Sequence, residues 1–205
     1  MIETRPPRLA RVAVLDRHAV FRLGAETFLR GQAGIEPVGS AADTGDLWPM
    51  LRRVDPDVLL VDHHAGRSDR LALCLRIRAA FRARVVLLTT DAEPHLALGA
   101  ELAGADALVD KAEPAATLAA AIRAVAGGAR ALPAVTAGVQ ATAAGRLSPQ
   151  DRAVLAMRLA GTSHRDIAAV CGIASHEVDA RVAQVIVDLF EPPGVAGLDR
   201  VGVVA

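Results

Sequence analysis

Asp55–Pro56–Asp57–Val58–Leu59–Leu60–Val61–Asp62 is the stretch that decides the fold. A Pro-containing turn opens it, four apolar residues follow, and a carboxylate closes it. A short, wholly apolar run of this kind fits a strand buried on both faces, as in a parallel sheet. In open parallel sheets, chemistry gathers at the carboxyl ends of the strands. Asp62 stands at such an end, where a core strand gains nothing from a charge. It is the first candidate functional residue.

Working outward, the same pattern recurs on either side. Arg11–Val12–Ala13–Val14–Leu15 reads as a buried strand ending on Asp16. A helix follows from His18 to Arg30, with Val20, Phe21, Leu23, Gly24, Phe28 and Leu29 at helical spacing. Glu36–Pro37–Val38–Gly39–Ser40 is a weak strand, and its proline confines it to a sheet edge. Beyond it come a helix from Asp43 to Arg53, the central strand, and a helix from Asp69 to Phe81. Val85–Val86–Leu87–Leu88 then leads to Thr89, and a helix from Pro94 to Ala103 stops at Gly104. Ala107–Leu108–Val109 ends near Lys111, and a helix from Pro114 to Ala126 completes the series. Five β/α units predict a doubly wound α/β domain with a five-stranded parallel sheet in the order 2-1-3-4-5. That order delivers Asp16, Asp62, Thr89 and Lys111 to one rim. A carboxylate nucleophile beside a metal-binding acid, a hydroxyl and an ammonium suits phosphoryl acceptance.

Composition narrows the field. The chain has 205 residues, 23 basic and 23 acidic, so no global charge draws it to nucleic acid or membrane. Of the basic residues only Lys111 is a lysine. A lone lysine among arginines marks a place for a compact ammonium rather than a guanidinium fork. No window is apolar enough to span a membrane, and no signal-peptide pattern is visible; a cytoplasmic location is expected. Cys74 and Cys171 read as free thiols. There is no phosphate-cradling glycine loop or nucleophile elbow, so the chain is not expected to be an enzyme. His63, His64 and His18 near Asp62 are set aside as a metal set, because adjacent side chains on a loop rarely face one ion.

Residues 129–146, rich in Ala, Gly and Thr, read as a linker. Three short helices follow. Ser148–Pro149–Gln150–Asp151 and Ser163–His164–Arg165–Asp166 carry start signals, and Ser175 is expected to cap the third. Val154, Leu155, Leu159, Ile167, Ala168 and Val170 would pack on Val178, Val182, Val185, Ile186 and Leu189. The turn Gly172–Ile173–Ala174 has the length of a helix-turn-helix. Glu191–Pro192–Pro193–Gly194 opens an irregular tail.

Leu15–Asp16–Arg17–His18, Val61–Asp62, Leu88–Thr89, Gly104–Ala105–Asp106 with Lys111, and Leu147–Ser148–Pro149 with Gly161, Ile167–Ala168 and Gly172–Ile173 together resemble a response regulator of the NarL/FixJ type. The resemblance implies a flavodoxin-like receiver over residues 8–128, the linker over 129–146, a small all-α LuxR-type helix-turn-helix over 147–190 and a tail over 191–205. It also implies Asp62 as phosphoacceptor, Asp16 as an acidic-pocket residue, and Thr89 and Lys111 as the switch pair. Mg²⁺ would sit at Asp16 and Asp62. Ser175 to Leu189 would be the recognition helix, with Ser175, His176, Asp179, Ala180, Arg181, Ala183 and Gln184 toward DNA.

The departures shape the expected function. Arg17 stands where the family carries a second acid, and is expected to repel Mg²⁺ and pair with Asp62. Ala65–Gly66–Arg67 replaces the usual Met-Pro-Gly, and Leu108 replaces the switch aromatic. Glu177 and Asp179 lie where cations usually face the groove, opposing phosphate contacts. The expectation is an atypical transcriptional regulator whose receiver is not conventionally phosphorylated, with no assured sensor kinase. It would act as a homodimer or with a related regulator. The alternative is a pseudo-receiver module that pairs with another regulator without reading DNA.

Overall fold

The computed structural model describes residues 9–63, 69–90 and 94–190. His64, the Ala65–Gly66–Arg67 loop, the N-terminal residues 1–8 and the tail over 191–205 lie outside them.

Five parallel strands form one sheet: β1 (Ala10–Leu15), β2 (Ile35–Ala41), β3 (Val58–Asp62), β4 (Arg84–Thr89) and β5 (Ala107–Asp110). Their order is β2-β1-β3-β4-β5, as the sequence pattern predicts. Helices α1 (Ala19–Arg30), α2 (Thr44–Val54), α3 (Asp69–Ala80), α4 (Pro94–Leu102) and α5 (Ala115–Ala126) alternate with them. Pro37 sits on edge strand β2 beside a register shift between Val12 and Ala13, where its missing N–H costs the ladder least.

The two-residue period of the strands sorts their side chains into two cores. Val12, Val14, Val58, Leu60, Val86 and Leu88 pack with Leu29 of α1 and Ile122 and Val125 of α5. Ala13, Leu15, Leu59, Val61, Val85 and Leu87 pack with Leu47 and Leu51 of α2, Leu71 and Ile77 of α3 and Leu98 of α4. On α1, Val20 and Leu23 are exposed, contrary to the helical stripe expected there; Ala25 and Leu29 form the buried stripe instead. Trp48 stacks on Phe81, with ring centroids 6.1 Å apart.

The stretch 129–146 is more than a linker. Ala131 bridges Ala107 beside β5, and α6 (Ala137–Gly145) follows, its N-cap Thr136 accepting from Val139 N. Its inward residue is Ala143, too small to register as an apolar stripe. Alanine's helix propensity and contact with α4 are enough to form the helix.

Helices α7 (Pro149–Leu159), α8 (His164–Cys171) and α9 (Val178–Phe190) complete the described residues. Ser148 and Ser163 cap α7 and α8 as expected, each accepting from the N–H three residues on. Ser175 does not cap. It lies inside a 3₁₀ turn, Ser175–Glu177, and Glu177 reaches back to accept from Ala174 N at 2.7 Å. Gly172 takes the left-handed conformation (φ 65°) that the turn requires and that other L-residues resist. Val170 is exposed, contrary to expectation, because Ile167, Ala168 and Cys171 form the inward stripe.

The helix-turn-helix core is continuous with the α2–α4 side of the receiver. Helix α9 packs on α3 and α4 as well as on α7. At the crossing a Cβ on Gly99 would lie 2.7 Å from both Leu71 Cδ1 and Phe190 Cζ, so any side chain there must displace both. Gly99→Leu should lower stability by about 1–3 kcal/mol through overpacking, read in denaturant unfolding. Protease cleavage between the two domains should accelerate with it.

Candidate functional site

The carboxyl ends of β1, β3, β4 and β5 meet at one rim because the strands run parallel from a common edge. Asp16 follows β1, Asp62 and Thr89 end β3 and β4, and Lys111 follows β5. Asp16, Asp62 and Thr89 are buried. Lys111 N donates to Thr89 O at 2.6 Å, tying the last two rim positions together.

The centre of the rim is an ammonium. Lys111 Nζ lies 2.5 Å from Asp16 Oδ2 and 2.6 Å from Asp62 Oδ1, and so bridges both carboxylates. It also stands 4.0 Å above the centroid of the Phe21 ring, a cation–π contact on its open side. A flexible stem with a point charge makes this bridge; a planar fork would not reach both acids in this way.

Asp16 is held from the other side as well. His18 N donates to Asp16 Oδ1 at 2.7 Å, and His18 Nδ1 lies 2.9 Å from the same oxygen. Arg22 Nη1 donates to the Asp16 carbonyl at 2.7 Å. Arg17 is exposed, and its Nε donates to His18 Nε2 at 3.2 Å. Among the described residues Arg17 makes no ion pair with Asp62, contrary to expectation. The strand turns residue 17 outward one position after Asp16, and Lys111 already occupies the space between the acids. The hydrogen-bond order is therefore Arg17 to His18, His18 to Asp16, and Lys111 to both carboxylates.

Burial alone would push the Asp16 carboxyl pKa up. The Lys111 contact and the His18 N–H outweigh it, and the net shift is downward from 3.8. Cys74 donates its thiol to Arg70 O at 3.2 Å, and its complete burial outweighs the nearby Arg70 charge and pushes the thiol up to about 12, which leaves it an inert core residue.

His18, set aside in the sequence, proves to be part of the pocket. Asp16, His18 and Asp62 each offer a ligand atom within 4.8 Å of the others. The signal was its position two residues after Asp16, where a backbone N–H closes a turn onto the carboxylate. These donors do not fit Mg²⁺ well. That ion demands near-octahedral oxygen ligation. Here one donor is an imidazole nitrogen, Arg17 supplies no oxygen, and the ammonium of Lys111 spans the two acids.

In the helix-turn-helix, the residues expected to face DNA separate into two groups. Ser175, His176, Ala180 and Gln184 are exposed. Arg181 instead pairs with buried Asp151, Nη2 to Oδ1 at 2.8 Å, and Asp179 lies 3.4 Å from His164 Nε2. Ala183 is half-buried and packs against the core. Asp151 is the N3 residue of α7, so the bond that starts α7 also anchors α9. The domain carries Arg152, Arg158, Arg165 and Arg181 against Asp151, Asp166, Glu177, Asp179 and Asp188, a net charge of −1. On the exposed face Gln184 donates to Asp188 at 2.8 Å, and no arginine or lysine projects there.

A doubly wound sheet with two carboxylates and a lysine at its rim, followed by a helix-turn-helix, defines a signal-receiving regulator by class. The chain belongs to the response regulators. The response regulator receiver domain family matches residues 12–123, and the family described as sigma-70, region 4 matches residues 141–189. The chain is 27% identical to the methanol utilization control regulatory protein MoxX of Paracoccus denitrificans, over 96% of this chain and 92% of that protein. It resembles the crystal structure of a LuxR-family two-component response regulator from Aurantimonas sp. SI85-9A1, at 26% identity and a TM-score of 0.52. That match covers 75% of this chain and 96% of the other. The response regulator RcsB in a complex with DNA shares the fold at 20% identity and a TM-score of 0.57, over 90% of this chain and 94% of that one. Among the described residues no helix is long and apolar enough to cross a membrane.

Lys111→Met tests the bridge. A carboxyl whose pKa is lowered on folding stabilises the fold above its unfolded value, and that contribution drains away as pH falls through the folded value. Without the ammonium, burial prevails and the Asp16 pKa rises. The variant should lose about 1–3 kcal/mol at neutral pH in urea unfolding. The deficit should shrink toward about pH 4 as the carboxyl protonates. A deficit that does not change with pH would place the cost elsewhere than in the carboxylates. Adding Asp62→Asn should restore part of the loss.

Proposed function

We propose that this chain is a DNA-binding transcriptional regulator whose receiver works without conventional Mg²⁺-dependent phosphorylation. The observation that carries the reading is the Lys111 bridge. A pocket whose two acids already share an internal cation gains little from an external one, and a transferring phosphoryl group would have to break the bridge first. Asp62 keeps the position of a phosphoacceptor, with Thr89 and Lys111 as its switch partners. Arg17, lying over His18, removes the third oxygen donor that the metal would need. The receiver then responds to association or to a ligand, and a dedicated sensor kinase is not required. The rim residues arrange and bind; none is assigned catalysis.

DNA reading in this proposal rests on Ser175, His176, Ala180 and Gln184, the exposed side of the turn and of α9. Gln184 offers the amide that suits adenine, and His176 can reach a phosphate. With few cations to release counterions, affinity depends on pairing, as a homodimer or with a related regulator. The site of action is the cytoplasm. A second reading, a module that pairs with another regulator without touching DNA, is favoured by one observation: Arg181 is spent on Asp151, and Glu177 and Asp188 edge the exposed face.

Two experiments separate these readings. With a small-molecule phosphoryl donor and Mg²⁺, wild type should remain unlabelled, Arg17→Asp should gain label, and Arg17→Asp/Asp62→Asn should lose it. Labelling of wild type that Asp62→Asn abolishes would overturn the unphosphorylated receiver. In chromatin immunoprecipitation from the native cell, discrete peaks should fall at least about tenfold with Gln184→Glu, which sets a carboxylate against phosphates. Arg181→Ala would not serve, since it removes the cation paired with buried Asp151 and leaves it only Ser148. Peaks unchanged by Gln184→Glu would favour the pairing module.

A further inference from the structure

Arg158 is a half-buried cation with no carboxylate paired to it among the described residues. It lies in the last turn of α7 and crosses to the receiver, where Nη2 donates to Leu102 O at 3.1 Å. Its Nη1 lies 3.1 Å from His164 Nε2. Its Nε is buried with no hydrogen-bond partner. Asp179 and Glu101 influence it from a distance, but Asp179 is engaged by His164 and Glu101 by Arg130 at 2.8 Å. Burial accordingly pushes the Arg158 pKa down, with those two acids opposing. A guanidinium taken from water and given a carbonyl and an imidazole does not recover its solvation.

Beside it a cleft of about 230 Å³ opens between receiver and helix-turn-helix, lined in part by Arg78, Gly104, Arg158, His164 and Asp179. Arg78 is a second cation with capacity to spare. It reaches Asp106 Oδ2 only at 3.3 Å, and Asp106 already accepts from Arg84 Nη1 at 2.8 Å and Val85 N at 2.9 Å. Gly104 lines the floor in the left-handed conformation (φ 71°), which other L-residues resist. Asp179, the carboxylate on the cleft wall, lies against His164 and leaves two guanidinium groups facing one acid.

We propose that this cleft binds a small phosphate-type oxyanion, held by Arg158, Arg78 and His164, which fastens the helix-turn-helix to the receiver. A tetrahedral oxyanion presents several acceptors at once, so one ion can take a remaining Nη–H of Arg158 and a donor from Arg78. The ligand joins α7 and α8 on one side to α3 and the end of α4 on the other. It therefore favours the docked arrangement, in which α9 lies on α3 and α4. This inference stands apart from phosphorylation of Asp62 and from whether the protein reads DNA.

The test is calorimetric titration of inorganic phosphate into the full-length chain, against sodium chloride at matched ionic strength. Wild type should show one saturable site and a rise in melting temperature that chloride does not reproduce. Arg158→Met should abolish the site. Because Arg158→Met removes a packed side chain, Arg78→Met is the companion variant. Its side chain is 41% exposed, and Asp106 retains Arg84 and Val85, so the fold should persist while phosphate binds about tenfold more weakly. AMP binding more tightly than phosphate would assign the site to the phosphoryl group of a larger metabolite; equal or weaker binding would assign it to phosphate itself. No saturable phosphate site in wild type, or unchanged affinity in folded Arg78→Met, would overturn the proposal.

Discussion

One ammonium shared between two buried carboxylates is the constraint on which this receiver turns. Asp16 and Asp62 arrive at the same rim because adjacent parallel strands β1 and β3 end there. Two buried carboxylates at that separation repel each other, and a cation must lie between them for both to stay charged. In this chain the cation is Lys111. The covalent tether to β5 keeps this cation at the rim, where it offsets one of the two carboxylate charges. His18 then fixes Asp16 through its N–H and its ring, and Arg17 lies over His18.

The same economy governs the second domain. The arginine that would meet DNA satisfies the buried acid that starts α7, and α9 lays its apolar side against α3 and α4. A domain this small has little surface to spare. Its three helices need the receiver to cover residues such as Leu189 and Phe190, and the two cores run together. What remains exposed on α9 is a narrow polar strip.

Much of this was legible in the residues themselves. The alternation of apolar runs with helical periodicity yields the β/α order, and the proline in Glu36–Ser40 assigns the edge. Strand-end acids can be read from sequence because a parallel sheet brings all its carboxyl ends to one side. The capping serines of α7 and α8 were equally readable, since a cap is a contact over three residues. Helix α6 was not, because its packing rests on alanine, which leaves no hydrophobic period. Val20, Leu23 and Val170 misled for the converse reason: they are apolar, and only neighbouring elements decide which side of a helix is covered.

The sequence by itself determined the sheet order, the family and the four rim residues, because these follow from local periodicity and from the geometry common to parallel sheets. Only the tertiary structure decided the partners. It put Lys111 rather than Arg17 against Asp62, brought His18 into the pocket, gave Arg181 to Asp151, and left Arg158 without a carboxylate. The physical reason is that a long charged side chain chooses among acids by distance and burial in three dimensions. Those distances are set by packing between elements far apart in the chain, and no spacing of residues encodes them.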